Sequence, residues 1–315
     1  MLFILGLLLK LPVFFDAKPP IIKEHDSLAY IGLVNSLKPI AVLFPSIYVI
    51  IAYLLIFTQI VLVSFFINNN KLMLKANFLP GMSYMILTSL MPEFNVLSSP
   101  LIASTIYVAL FLLLFSGHNQ KTTKDNIFNA GLILGLAVLI FFPSVLLIIL
   151  AYAILASLRP FKLNEWLILL IGTVTPAYFL GITLYLTDSL SWKYFYNGIE
   201  IGLAGEKYTI WHAGALFLTL MPFLVGFYYV QALSGRMLIH VRKAWNLFIL
   251  YAAICIVISF FNIEQGLENW VLLMLPLAAL HGFGYFNAEL KLYPKIAFWL
   301  SAGFIIASQL FSGLW

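Results

Sequence analysis

The feature that most constrains this chain is a series of long apolar runs that recur along its whole length. We mark eleven runs, at approximately residues 1–15, 42–66, 78–91, 100–116, 127–142, 144–158, 165–187, 212–233, 245–262, 270–287 and 296–312. A helix that crosses a bilayer needs about 20 apolar residues, and several of these runs are shorter. The fifth and sixth runs are separated only by Phe142-Pro143-Ser144, which predicts a tight turn between paired helices.

Composition decides between a soluble fold and a membrane fold. The chain is 63% hydrophobic and 9% charged, whereas soluble domains carry about 25% charged residues. A chain in lipid must satisfy its backbone polar groups internally, which favours helices. We therefore predict an all-α fold, a polytopic helical bundle with about eleven transmembrane helices that forms a single domain over residues 1–315.

The distribution of Lys and Arg predicts an orientation. If the amino terminus is cytoplasmic and the runs alternate, the inner loops hold Lys71, Lys75, Lys121, Lys124, Arg159, Lys162, Arg236, Arg242, Lys243, Lys291 and Lys295. The outer loops hold Lys18, Lys23, Lys38, Lys193 and Lys207. This excess follows the positive-inside rule and explains the net charge of +5 without a nucleic-acid partner. We expect a multi-pass protein of the bacterial inner membrane with a periplasmic carboxyl terminus.

The remaining charged and reactive residues add two expectations. Most acidic residues fall in the predicted outer loops, which points to chemistry or ion handling on that face. The single cysteine, Cys255, lies in an apolar run and predicts neither a disulfide nor a cysteine metal site.

The first run contains Lys10 and Pro12. Its uncharged start favours a retained helix over a cleaved signal peptide, although the native chain could begin upstream. A Lys at the bilayer centre costs about 2.5–3.5 kcal/mol, so Lys10 should lie near an interface or face the bundle.

Two predicted outer segments are long enough to contribute to a site. In residues 16–41, apolar residues three apart predict an amphipathic surface helix from Ser27 to Leu37 that ends at Lys38-Pro39. Asp26 stands at the expected N-cap of that helix, so a capping role and a catalytic role are both open. Residues 188–211 are rich in aromatic residues and form either an interfacial belt or a platform for a sugar. For His212 and His281, which lie in apolar runs, the simplest role is a hydrogen bond between helices.

The stretch "LKLPVFFDAKPPIIKEHDSLAY", residues 9–30, resembles the entry of the GT-C superfamily of glycosyltransferases that use polyprenyl-phosphate sugars. Lys10-Leu11-Pro12 corresponds to the basic-Leu-Pro end of the first helix, and Asp26 through Tyr30 to the acidic residue before a juxtamembrane helix. The resemblance covers approximately residues 1–160, a GT-C-like core. Residues 161–315 would add further helices and the outer loop 188–211.

The resemblance implies a site on the outer face. Asp26 would act as a general base, tuned by His25 or Glu24. Donor-binding residues would be Lys193, Lys207 and Lys10. The stacking residues would be Trp192, Tyr194, Tyr196 and Trp211. No cofactor is required, although some members of the superfamily use a divalent metal ion.

Two alternatives remain open from the sequence. His25-Asp26 replaces the paired acids of many members, so the chain could instead be a non-catalytic subunit that supports an assembly of the cell envelope. A transporter is a third interpretation, but apart from Lys10 the apolar runs carry almost no charged residues along a pathway.

Overall fold

The computed structural model describes residues 2–15, 19–23, 26–116, 124–191, 194–195, 209–261 and 263–311. Over these residues the chain is helical and contains no β-strands, which confirms the predicted all-α class. The helices are α1 (Leu2–Leu9), α2 (Leu11–Phe15), α3 (Leu28–Leu43), α4 (Ile47–Asn69), α5 (Leu79–Ser89), α6 (Ser99–Ser116), α7 (Lys124–Ile140), α8 (Leu147–Leu158), α9 (Leu163–Leu186), α10 (Ile210–Leu233), α11 (Ile239–Ser259), α12 (Val271–Asn287) and α13 (Leu292–Phe311). Short 3₁₀ turns lie at Pro92–Asn95, Phe142–Leu146, Ser234–Arg236 and Ile263–Trp270.

Six described helical segments are long and apolar enough to cross a membrane. They are Ile47–Asn69, Leu163–Leu186, Ile210–Arg236, Ile239–Ser259, Gly266–Asn287 and Leu292–Phe311. The other apolar runs form shorter helices, such as α5 with 11 residues and α8 with 12. The chain is therefore a multi-pass membrane protein, and the count of eleven spans stays a prediction.

The surface helix predicted after the first run is α3, and its start and end differ from the prediction. Ser27 is its N-cap, because the Ser27 hydroxyl accepts a hydrogen bond from the backbone N–H of Tyr30 at 3.2 Å. The helix continues past Pro39 to Leu43, so the predicted break at Lys38-Pro39 is wrong. A short turn at Pro45-Ser46 then separates α3 from α4. The predicted separation of the two helices is confirmed.

The predicted turn between the fifth and sixth runs is also present. Helix α7 ends at Ile140, the 3₁₀ turn Phe142–Leu146 follows, and α8 begins at Leu147. The hydroxyl of Tyr107, on α6, donates a hydrogen bond to the carbonyl of Ser144 in this turn at 2.9 Å. Because Tyr107 is fully buried, this bond fixes the turn to the bundle.

Helix α12 forms the centre of the packing. Every residue from Val271 to Gly284 is buried, as expected of a helix that is apolar on all sides. It packs on α5, α10 and α11. Glycines allow the close approach: a Cβ at Gly226 of α10 would lie 2.1 Å from the carbonyl oxygen of Leu280. By contrast, only 11% of the apolar window of α9 is buried, so α9 lies at the periphery.

The two ends of the bundle carry different charges. We call the end at which α5 ends and α6 begins the acidic end; its described acidic residues include Asp26, Glu93, Asp188 and Glu268. We call the end at which α4 ends and α5 begins the basic end; its described basic residues include Lys71, Lys75, Arg159, Lys162, Arg236, Arg242, Lys243 and Lys291. The segregation expected from the sequence is therefore present, whereas the orientation relative to the membrane stays a prediction.

Candidate functional site

Lys10 lies between α1 and α2 at the acidic end, and its side chain points into the bundle. It is 2% exposed. Its amino group donates hydrogen bonds to the hydroxyl of Thr88, at 3.0 Å, and to the side-chain carbonyl of Asn95. Thr88 lies in the last turn of α5 and Asn95 in the 3₁₀ turn that follows. Of the two positions predicted for Lys10, the one that faces the bundle is therefore the one adopted.

The hydrogen bonds continue from Lys10 across the bundle. Thr88 donates to the carbonyl of Tyr84 at 3.0 Å. The hydroxyl of Tyr84 donates to the side-chain carbonyl of Gln59, whose amide nitrogen donates to the hydroxyl of Thr105 at 2.6 Å. These residues connect α4, α5 and α6, and each buried polar group in the series has a partner, as low-dielectric surroundings require.

Asp26 is buried at the acidic end, immediately before α3. Its Oδ2 accepts a hydrogen bond from the backbone N–H of Lys23 at 2.8 Å, and its Oδ1 accepts one from the hydroxyl of Ser99 at 3.3 Å. The capping interpretation of Asp26 is wrong, because the next residue, Ser27, caps α3. Ser27 is held in place by a second bond, in which its hydroxyl donates to the carbonyl of Ile140 at 2.7 Å. The carboxylate of Asp26 therefore belongs to a polar cluster and not to a helix cap.

Further charged groups lie beside Asp26. The Nζ of Lys23 forms an ion pair with Glu268, in the 3₁₀ turn before α12, at 3.3 Å. Tyr30, on α3, donates from its hydroxyl to the carbonyl of Leu97 at 2.8 Å. Burial raises the pKa of Tyr30, and the carboxylates of Asp26 and Glu268 raise it further. Both carboxylates therefore lie within electrostatic range of one buried phenol, and we call Lys23, Asp26, Tyr30, Ser99 and Glu268 the polar cluster.

Several residues predicted for the site fall outside the described part of the chain. They are Glu24, His25, Trp192, Lys193, Tyr196 and Lys207. Of the predicted stacking residues, Tyr194 lies shortly after α9. Trp211 lies in the first turn of α10, where its ring packs on Phe304 of α13 with centroids 5.6 Å apart. The roles predicted for these residues stay predictions.

A cavity of about 580 Å³ lies next to the polar cluster. It is bounded by α10, α11 and α12, and residues of the 3₁₀ turns Pro92–Asn95 and Ile263–Trp270 line it at the acidic end. The turn Ile263–Trp270 connects the cavity and the polar cluster, since Leu267 and Trp270 line the cavity and Glu268, between them, pairs with Lys23. The volume falls in the range of about 300–1,000 Å³ that is typical of ligand-binding cavities.

His212 lines the cavity at the acidic end. Its Nδ1 accepts a hydrogen bond from the backbone N–H of Thr209 at 3.0 Å, and together the two residues form a capping box at the start of α10. The Nε2 of His212 lies 3.9 Å from a carboxylate oxygen of Glu93. His212 therefore has the role of a cap at the start of α10. The expected bond between helices is present for His281, whose Nε2 lies 2.9 Å from the carbonyl of Thr219 on α10.

The sequence interpretation missed several of these residues. Lys23 and Glu268 are far apart in the chain, and no local pattern pairs them. The capping role of His212 has one local signal, since Thr209 followed three residues later by His212 resembles the spacing of a capping box, whereas no local pattern pairs His212 with Glu93. Among the described residues, no three His, Cys, Asp or Glu side chains are grouped as metal ligands. The divalent ion that the resemblance allowed stays a prediction, because Glu24 and His25 lie outside the described residues.

Comparison of the chain with protein-family models, curated proteins and solved structures gives no match. The function has to be inferred from the residues of the site themselves.

Proposed function

We propose that the protein is a membrane glycosyltransferase that moves a sugar from a polyprenyl-phosphate donor to an acceptor at the acidic end of the bundle. The observation that carries this proposal is the buried carboxylate of Asp26, which precedes a juxtamembrane helix but does not cap it. A carboxylate that is not needed for a cap, held by Lys23 and Ser99, is suited to accept a proton from an acceptor hydroxyl.

The chemistry of the proposed reaction needs one base and one site for a leaving phosphate. Asp26 takes the proton of the acceptor hydroxyl, whose oxygen then forms a bond to the anomeric carbon of the sugar. The bond between that carbon and the phosphate oxygen breaks, and polyprenyl phosphate leaves with the electron pair. A cation beside the leaving phosphate would stabilise its charge.

The described residues supply one new candidate for that cation. Lys10 is held inward by Thr88 and Asn95, so its position favours a structural role. Lys23 lies three residues before Asp26, and its side chain is 19% exposed while it pairs with Glu268. Lys23 is therefore better placed than Lys10 to meet a phosphate near Asp26, and Lys193 and Lys207 remain predicted candidates.

The experiment measures release of polyprenyl phosphate from a panel of polyprenyl-phosphate sugars by the protein in proteoliposomes. Asp26→Asn should lower the rate about 10²–10⁴-fold, the usual contribution of a general base. Asn can keep both local contacts, because its carbonyl can accept from the backbone of Lys23 and its amide can donate to the Ser99 hydroxyl. The variant should therefore stay folded.

Asp188→Asn is the matched control. Asp188 is an exposed acid at the same end, and its φ of 51° is tolerated by Asn. It should leave the rate unchanged. Full activity of Asp26→Asn would refute the assignment of the base.

The two alternatives predict other outcomes. A non-catalytic subunit of an envelope assembly would release no polyprenyl phosphate, while Asp26→Asn would leave the phenotype of cells unchanged. A transporter would move the lipid-linked sugar across the vesicle membrane without cleaving it.

A further inference from the structure

The cavity between α10, α11 and α12 is large for the interior of a helical bundle. Protein interiors are close-packed and contain few voids larger than a water molecule. The volume of about 580 Å³ is several times that of an engineered apolar cavity of about 150 Å³ that is known to bind benzene. An empty space of this size would deprive the side chains around it of dispersion contacts and would destabilise the fold. The packing of the three helices is therefore incomplete without an occupant.

The cavity is elongated along the helix axes. Its lining residues extend from His212 to Phe223 on α10 and from Ala252 to Ser259 on α11. At 1.5 Å per residue, these ranges correspond to about 16 Å and about 10 Å. Helix α12 packs on both α10 and α11, and the cavity fills the space that remains between those two helices. The shape therefore suits a linear chain better than a compact molecule.

Part of the cavity borders the lipid. Leu216 and Leu220 of α10 line it and are 54% and 44% exposed, and Ile256 of α11 lines it and is 40% exposed. All three residues belong to segments that are long and apolar enough to span a membrane. An occupant can therefore enter sideways from the bilayer, between α10 and α11.

The walls of the cavity suit a hydrocarbon. The hydroxyl of Thr219 donates to the carbonyl of Ala215 at 2.8 Å, and that of Ser259 donates to the carbonyl of Cys255 at 2.9 Å, so each hydroxyl is bonded within its own helix. Most of the other lining residues are apolar, and the described ones include no Lys, Arg, Asp or Glu. A charged head would therefore find no ion-pairing partner on these walls, whereas an apolar chain would fit them.

Two kinds of membrane lipid carry such a chain, namely the phospholipids of the bilayer and the proposed polyprenyl-phosphate donor. A scarce donor has to be selected from the bilayer by its phosphate head, and the described lining residues supply no cation for that purpose. Phospholipid acyl chains surround the opening at very high concentration and can fill the cavity by mass action alone. The walls of the cavity therefore favour a phospholipid.

We propose that one acyl chain of a bilayer phospholipid occupies this cavity and completes the packing of α10, α11 and α12, while the head of the phospholipid stays outside the cavity. The site is separate from Asp26 and does not depend on glycosyl transfer. The phospholipid is a structural ligand, whose chain takes the place of side chains between these helices.

The test uses the full-length protein in phospholipid vesicles that contain a small fraction of a phospholipid with a diazirine in one acyl chain, activated by light. Mass spectrometry of the peptides should locate adducts on Leu273, Met274 or Leu277 of α12, which line the cavity but are otherwise buried in the bundle. Leu275 and Leu280 are equally buried on α12 and do not line the cavity, so they should carry no adduct. Adducts on the exposed faces of α9 and α13 with none on α12 would overturn the proposal.

Two variants locate the chain. Ala252→Phe fills the cavity from α11, and Ile256→Trp obstructs its opening at a partly exposed position that tolerates size better. Each should lower the adducts on α12 about tenfold. Gly303→Phe on α13 is the control, because no atom lies within 4 Å of a Cβ at that position, and it should leave these adducts unchanged. Undiminished adducts on α12 in both cavity variants would overturn the assignment of the site.

The structural role is tested by the unfolding temperature in detergent. Adding phospholipid to the delipidated protein should raise this temperature more for wild type than for Ala252→Phe or Ile256→Trp, because those side chains already occupy the space of the acyl chain. An equal rise for wild type and both variants would overturn the structural role.

Competition identifies the source of the chain. Polyprenyl phosphate added in an amount equal to the photoactive phospholipid should leave the adducts on α12 unchanged, and phosphatidylethanolamine and phosphatidylglycerol probes should label α12 equally well. Loss of the adducts to polyprenyl phosphate would overturn the phospholipid assignment and give the cavity to the chain of the donor. A strong preference for one phospholipid head would overturn selection by the chain alone.

Discussion

Replacing Gly135 by Ala should weaken the packing of the peripheral helix α9 against α7. The buried residues of α9 are Leu169, Gly172 and Pro176, which lie on one face, so a single narrow stripe attaches this helix. A Cβ at Gly135 would lie 2.2 Å from the carbonyl oxygen of Thr173 and 3.0 Å from the ring of Pro176. Real Cβ atoms essentially never approach closer than 3.0 Å, so the helices would have to separate by about 0.8 Å.

The magnitude follows from two opposing effects. Overpacking costs about 1–3 kcal/mol, and the upper value applies because the obstructing atoms are backbone and a proline ring that cannot rotate away. Ala is a better helix former than Gly by about 1 kcal/mol, so the net loss should be about 2 kcal/mol. At the other glycines of this contact, Gly131 and Gly172, an added Cβ would lie 2.5 Å from a backbone carbonyl oxygen of the opposite helix, so the helices are also in close contact there and cannot relieve the overlap.

The assay is thermal unfolding of the purified protein in detergent, followed by size-exclusion chromatography. Gly303→Ala is the matched control, since it gives the same gain in helix propensity at a position with open space. Gly135→Ala should unfold at a lower temperature than wild type, and Gly303→Ala at the same or a higher temperature. Equal unfolding temperatures of the two variants would show that the close approach of α7 and α9 is not present in the protein.

Ser27→Ala should lower the free energy of unfolding by about 2 kcal/mol, because it removes an N-cap worth about 1 kcal/mol and a hydrogen bond to Ile140 worth about 1 kcal/mol. Thermal unfolding should show this loss of stability for Ser27→Ala and not for Asp26→Asn. A cysteine at Ser191 should react with an impermeant maleimide added outside the cell, whereas a cysteine at Lys162, at the basic end, should not. The native Cys255 is buried and should give little background labelling. Labelling of both positions would refute the predicted orientation. A double-mutant cycle of unfolding free energies with Lys23→Met and Glu268→Gln should give a coupling energy of about 1 kcal/mol or less, since both side chains are about one-fifth exposed. The coupling should weaken as the salt concentration rises. A coupling of several kcal/mol would mean that the pair is far better shielded from solvent.

The hydropathy of the sequence predicts where helices form, whereas its proline residues do not reliably predict where helices end. The hydropathy runs predict the helical class, and Pro143 lies in the turn that the sequence predicts. The sequence also predicts a helix end at Pro39, but Pro39 lies inside α3, as Pro176 lies inside α9 and Pro222 inside α10. Pro176 and Pro222 are buried, so tertiary packing supports those two helices although proline removes one backbone hydrogen bond. The residues of α3 after Pro39 are largely exposed, so packing does not explain why α3 continues there. Proline alone does not set a boundary in this bundle.

The candidate site could be predicted only in part, for a related reason. Asp26 and Ser27 are adjacent and both are good N-caps, so local preference cannot choose between them. The choice depends on Ile140, whose carbonyl accepts from Ser27 across 113 residues of sequence. The cavity has no sequence signal, because it depends on how the consecutive helices α10, α11 and α12 pack in three dimensions.

The 3₁₀ turn Pro92–Asn95 explains how the polar groups and the cavity stay apart although they are close. In such a turn successive side chains point about 120° apart, because there are about three residues per turn. Phe94 therefore lines the cavity while its neighbour Asn95 accepts from Lys10. One short turn separates a buried amine from a hydrocarbon-lined space.

The turn Ile263–Trp270, which contacts the turn Pro92–Asn95, has the same arrangement at the same end of the cavity. Leu267 and Trp270 line the cavity, and Glu268 pairs with Lys23 in the polar cluster. The turn Ile263–Trp270 thus connects the cavity wall to the polar cluster, and the turn Pro92–Asn95 connects it to Lys10. A displacement of Trp270 or Phe94 by an occupant of the cavity changes the position of Glu268 or Asn95, since neighbouring residues of a packed turn cannot move independently. The apolar cavity and the polar cluster are therefore neighbouring sites that share the backbone of this turn.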